Sequence, residues 1–129
     1  INDSKATSFK ATQPALKSLN NIYWILGGLP KKNDRIELLG LSKKIIKCYL
    51  IGKNVEFFKK QVKNKIKFTI TKNLKKTVPS IAKDIKIKKS INNSILLSPA
   101  AASFDQFTNF EKRGDQFKKL CRKYVRNFF

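Results

Sequence analysis

Three short stretches gather residue types suited to holding a small anion. Residues 2–7 (NDSKAT) join the carboxylate of Asp3 to hydroxyls, among them Thr7, and to the ammonium of Lys5. Residues 27–32 (GGLPKK) set two glycines ahead of Lys31, and residues 98–107 (SPAAASFDQF) place three alanines between a proline and Ser103. Each stretch follows an apolar run of strand character, and an open parallel sheet presents ligands just outside the carboxyl ends of its strands. Lys5, Lys31, Thr7 and Ser103 would then share one edge, a set of cations and neutral donors matched to a small dianion. No general base, nucleophile or metal set accompanies them, which points to the substrate-binding half of a site. The chain has no His and no G-x-x-x-x-G-K-[ST] phosphate loop.

Each stretch also has a plainer reading. Asp3 and Ser4 are ordinary helix-capping and turn residues. The two glycines can simply end a strand. The alanines can line a tightly packed loop that leads into the last helix. The residue types alone leave these alternatives open.

The elements that must position these residues are legible as an alternation. Strand-like runs occur at 22–26, 45–51, 67–70 and 95–97, with Ile1 as the tail of an earlier strand. Between them, Val55, Phe58 and Val62 form one helical stripe, and Leu74, Val78, Ile81, Ala82 and Ile85 form another. Pro79 interrupts the second and predicts a helix that is kinked or starts late. Phe107, Phe110, Phe117, Leu120 and Tyr124 predict a closing helix with its aromatic face in the core and Lys118, Lys119, Arg122 and Lys123 mostly on its other faces. The expectation is an α/β fold, a mostly parallel sheet with flanking helices, in one domain covering 1–129.

A net charge of +21, from 25 Lys and 4 Arg against 8 acidic residues, raises the alternative of a small basic nucleic-acid-binding module. The excess is almost entirely Lys, a solvated point charge without the planar fork that reads bases or clamps phosphates. It is scattered over pairs such as Lys43–Lys44, Lys59–Lys60, Lys75–Lys76 and Lys88–Lys89, and it accompanies abundant Ile, Asn and Phe, as a drift in composition would produce. No specific nucleic acid is expected as partner. Two isolated cysteines give no disulfide framework or metal spacing, and no metal site is expected. With no run near the roughly 18 apolar residues of a membrane span and no signal-peptide pattern, no membrane association and a cytoplasmic location are expected. The chain begins at Ile1 and contains no Met, and is expected to be part of something longer.

At these same stretches the sequence resembles the C-terminal domain of the Mur ligases, and within them the D-glutamate-adding enzymes. The likeness lies at residues 1–7 (INDSKAT), at Leu26, Gly27 and Gly28 with Lys31, and over 96–117 (LLSPAAASFDQFTNFEKRGDQF). From 32 to 94 only the rhythm of elements agrees. The Asp-Asn-Pro-Arg signature of the diamino-acid-adding relatives is absent. The resemblance implies a Rossmann-like three-layer domain closing over a central ATPase domain. It implies ATP-dependent addition of D-glutamate to UDP-N-acetylmuramoyl-L-alanine through an acyl-phosphate, in peptidoglycan synthesis. By that analogy Thr7 and Lys31 hold the α-carboxylate of D-glutamate, and Ser103 with the backbone of Phe110 holds the side-chain carboxylate. Asp3 meets the nucleotide ribose, and Lys5 is the catalytic residue near the reacting groups. ATP and Mg2+ would be bound mainly by the central domain and the uridine nucleotide by a first domain, both outside these residues. The segment alone is expected to be monomeric and inactive.

Overall fold

The computed structural model describes residues 1–38, 40–89, 91–103 and 107–125. Four parallel strands, β1 (Ile22–Gly27), β2 (Ile45–Ile51), β3 (Phe68–Lys72) and β4 (Ser94–Leu97), form one sheet in the order β3-β2-β1-β4. The chain steps outward from β1 to β3 and then returns to the other side of β1. The order therefore reverses between β1 and β4, which is where open α/β sheets part their loops to admit ligands.

Alternation along the strands divides the core into two layers. Ile22, Trp24, Leu26, Cys48, Leu50 and Leu96 face one side, against Phe9 and Leu16 of α1 (Phe9–Ser18) and Phe58 and Val62 of α2 (Val55–Val62). Tyr23, Ile25, Tyr49, Ile51, Ile95 and Leu97 face the other, against Leu74, Val78, Ile81 and Ile85 of α3 (Leu74–Lys88) and Phe117 of α4 (Phe110–Tyr124). Two faces covered by helices explain why β1 is buried along its whole length and why its sequence is a continuous apolar run. The architecture is the expected three-layer, Rossmann-like α/β fold, with the observed sheet wholly parallel. No helix among the described residues is long and apolar enough to cross a membrane.

Ile1 does prolong the sheet beside β4: its carbonyl accepts from Leu97 N–H at 3.0 Å, and Asp3 N–H donates to the Leu97 carbonyl at 2.7 Å. Pro79 does not delay α3, which begins at Leu74 behind an Asn73 side chain that accepts from Lys76 N–H at 3.0 Å. The cap satisfies the first turn, so the proline falls in the second turn of a helix already started. The aromatic face of α4 is only partly core. Phe117 is buried, but Phe110 is 40% and Tyr124 39% exposed. The inner face of its first turns is filled instead by Arg113 and Gly114.

Among the described residues between β1 and β2 there is no α-helix. Ile36, Leu38 and Leu41 cover the α1/α2 face of the sheet from a loop and a short 3-10 turn (Leu41–Lys44), and Ile36 N–H donates to Gln61 Oε1 at 3.1 Å.

Candidate functional site

The carboxyl ends of β1 and β4 are laced together. Gly27 N–H donates to the Pro99 carbonyl at 2.9 Å, and Leu29 and Ala102 exchange two backbone hydrogen bonds of 2.8 Å each. Trp24, buried beneath them, donates its indole N–H to the Ser98 carbonyl at 2.7 Å. Gly28 sits at φ +135°, and a Cβ there would lie 2.4 Å from the Ala102 carbonyl oxygen. Only glycine permits both that dihedral and that approach. The alanines of 100–102 let the opposite strand of the lacing come equally close. Asn54 at the start of α2 closes the far side, donating to the Gly28 carbonyl at 3.0 Å.

This lacing sets Lys31 and Ser103 just beyond its two ends, each one or two residues from the Leu29–Ala102 pair. Lys31 is exposed. Ser103 is only 2% exposed, yet its Oγ has no hydrogen-bond partner among the described residues. A buried hydroxyl left unpaired costs free energy of roughly 1–3 kcal/mol, so such a group calls for an explanation. Phe104, Asp105 and Gln106 of the same stretch lie outside the described residues.

Asp3 lies beside the end of β4. Its Oδ2 accepts from Ser98 Oγ at 2.7 Å, and its carbonyl accepts from Ala6 N–H at 3.0 Å, closing a turn around Lys5. Ser4 is buried, Lys5 exposed and Thr7 half-buried at the start of the run into α1. Ser8 caps α1, accepting from Ala11 N–H at 3.2 Å, so the capping role expected of this stretch falls to Ser8 and leaves Asp3 and Lys5 outside the helix. Lys5 and Phe110 line one cleft of about 200 Å³ together with Asn2, Ser4, Glu111, Asp115 and Lys118. The Phe110 carbonyl accepts from Ser4 Oγ at 2.6 Å.

The six residues singled out thus occupy one edge, in two groups. Asp3, Lys5 and Phe110 stand around the end of β4 and the start of α4, and Lys31 and Ser103 flank the β1/β4 lacing, with Thr7 on the approach to α1. The sequence reading missed Arg113, 1% exposed, whose guanidinium holds Ser4 and Ala101. Its position three residues after Phe110 and four before Phe117, on the inward stripe, was the available signal.

A cavity of about 920 Å³ lies elsewhere, between α1 and residues 33–37, with Phe9, Gln13, Lys17, Asp34 and Arg35 in its lining. It is the weaker candidate. The Asp34 carboxylate is already occupied by the backbone N–H groups of Phe9 at 2.9 Å and Arg35 at 3.1 Å. A further ionic cluster, Lys47 and Tyr49 on β2 with Asp84 on α3, faces the amino ends of the strands. Burial pulls the Asp84 carboxyl upward, but hydrogen bonds from Tyr49 and Lys47 and the charges of Lys47 and Lys67 outweigh it and hold the group below its usual range. Burial likewise pushes the Cys48 thiol up, making it an inert core group.

No family model matches the chain. Curated proteins do. Over 122 residues, 95% of this chain, it is 43% identical to the UDP-N-acetylmuramoylalanine--D-glutamate ligase of Nitrobacter hamburgensis, of which this is 26%. It is 44% identical over 117 residues to the enzyme of the same name from Agrobacterium fabrum, and 40% identical over 123 residues to that of Rickettsia felis. The chain spans 25–27% of the length of these relatives. With 40–44% identity over 91–95% of its length, the chain resembles one segment of the Mur ligases.

Proposed function

We propose that this chain is the C-terminal, D-glutamate-binding domain of a cytoplasmic ligase that joins D-glutamate to UDP-N-acetylmuramoyl-L-alanine in peptidoglycan synthesis, and so serves cell shape and division. The observation that carries this is Ser103. Its buried hydroxyl lacks a partner among the described residues, and it stands beside a laced backbone whose other arm leads to the exposed ammonium of Lys31. A dicarboxylate needs two anion-binding points a few ångströms apart, one cationic and one a neutral donor, on a frame that does not yield.

In this reading Thr7 and Lys31 bind the α-carboxylate, and the Ser103 hydroxyl with the Phe110 backbone binds the side-chain carboxylate. Lys5 stabilises negative charge that grows as the amine attacks the activated carbonyl, an electrostatic contribution that needs placement more than proton transfer. Asp3 meets the ribose of the nucleotide. Its carboxylate is half-buried and already oriented by Ser98, which suits a fixed acceptor for sugar hydroxyls. ATP supplies the activation of the acyl group, and the residues holding its phosphates, Mg2+ and the uridine nucleotide belong to the first and central domains. This segment by itself is then a monomer without ligase or ATPase activity.

The test is kinetic, on the ligase that carries this chain. Lys31→Ala is expected to raise the apparent KM for D-glutamate while leaving that for the nucleotide substrate little changed. Unchanged glutamate kinetics would remove Lys31 from the site.

A further inference from the structure

We propose that Ser4 and Arg113 are a positioning pair that fixes Lys5 against the first turn of α4. The inference deepens the reading of this edge as a D-glutamate site and rests on it. Arg113 is buried to 1% exposure, and its guanidinium spreads over two backbone segments from different ends of the chain. Nε donates to Ser4 Oγ at 2.9 Å, Nη2 to the Ser4 carbonyl at 2.6 Å and Nη1 to the Ala101 carbonyl at 2.9 Å. The Ser4 hydroxyl accepts from Arg113 and donates its own proton to the Phe110 carbonyl at 2.6 Å. A chain of directed hydrogen bonds thus runs from α4 through Ser4 back to the first residue of α4.

The geometry points to positioning for three reasons. The Ser4 carbonyl belongs to the peptide that leads directly into Lys5, so holding it fixes where the Lys5 side chain departs. Ala101 lies two residues before Ser103, so one guanidinium ties the peptide leading into Lys5 to the loop that carries Ser103. Gly114, the neighbour of Arg113, has the Asn2 side-chain amide where a Cβ would stand, at 2.7 Å from Nδ2 and 2.9 Å from Oδ1, so α4 also packs on Asn2 at this point. Three acceptors in fixed directions suit the planar fork of arginine, and a lysine ammonium cannot span them. Burying a cation is costly where an apolar side chain would fill the same space, so packing alone does not account for it.

Neither residue is catalytic. They act through Lys5, and a double-mutant cycle separates that from a merely structural role. On the ligase that carries this chain, kcat and the apparent KM for D-glutamate are measured for the unaltered enzyme, Ser4→Ala, Lys5→Ala and the double variant. Ser4→Ala is expected to lower kcat about tenfold through a misplaced Lys5, and to leave the KM for D-glutamate little changed. In the Lys5→Ala background the same change should cost nothing further. Arg113→Lys should lower kcat at least as much as Ser4→Ala; should it fail to fold, the serine variants decide. An undiminished kcat in Ser4→Ala, or losses that simply add in the double variant, overturns the pair. A kcat unchanged by Lys5→Ala removes Lys5 from the site, and the pair with it.

Discussion

The hydroxyl of Ser98 donates a 2.7 Å hydrogen bond to the carboxylate of Asp3, joining residues 95 positions apart at the end of one strand. That bond holds the stretch before α1 to the loop after β4, the two segments that carry Lys5 and Ser103. Ser98→Ala removes the donor while Asp3 stays half-buried. Thermal unfolding should show a loss of about 1.5–3 kcal/mol, since the bond has a charged acceptor. An unchanged midpoint would mean that water replaces the serine without cost.

Ser103 separates binding from stability. Its hydroxyl pairs with nothing among the described residues, so Ser103→Ala relieves a buried polar group and the unliganded domain should be as stable as before or slightly more so. D-glutamate affinity should fall by about 1.5–3 kcal/mol as the ligand loses one donor to a carboxylate. Calorimetry with parallel denaturation reads both. A fall in stability with unchanged affinity would return Ser103 to a packing role.

Gly28 tests the lacing itself. A Cβ would meet the Ala102 carbonyl oxygen at 2.4 Å, on a backbone at φ +135° that other residues rarely adopt. Gly28→Ala should destabilise the domain by about 2 kcal/mol or more, read as a lower denaturant midpoint. A midpoint within error of the unaltered chain would show that the β1 and β4 loops can part freely.

The Lys47–Asp84 pair, 2.9 Å apart, predicts a pH dependence of defined sign. The folded state holds the Asp84 carboxyl below its ordinary 3.8. Its contribution is therefore complete above the unfolded value and is lost as pH falls through the depressed folded one. Asp84→Asn should lower stability at neutral pH by about 1–2 kcal/mol, discounted for partial exposure. The gap between variant and parent should close in acid below that value. A gap independent of pH would exclude the charge as its origin.

Strand positions were legible in the sequence to within about two residues because the buried sheet demands β-branched apolar runs, and β1 and β2 supplied them at full length. Strand order was not, since hydropathy says nothing of which neighbour a parallel strand takes. The three ligand-facing stretches were legible from residue type at strand ends. What joins them was not: the Asp3–Ser98 bond and the Leu29–Ala102 pair link distant residues through backbone groups and short side chains that leave no periodic mark. Arg113 escaped because a charged type reads as surface, though its spacing put it on the inward stripe. The same stripe proved too narrow for Phe110 and Tyr124, which flank the contact without entering it.

Whether this edge takes D-glutamate can be read from amide NMR of the 129-residue chain titrated with D-glutamate, L-glutamate and a short RNA duplex. D-glutamate should shift the amides of Thr7, Lys31, Ser103 and Phe110, L-glutamate should leave them nearly still, and any effect of the RNA should be diffuse and vanish with salt. Equal response to both enantiomers, shifts confined to other surfaces, or localised RNA binding that survives physiological salt would contradict that reading of the edge.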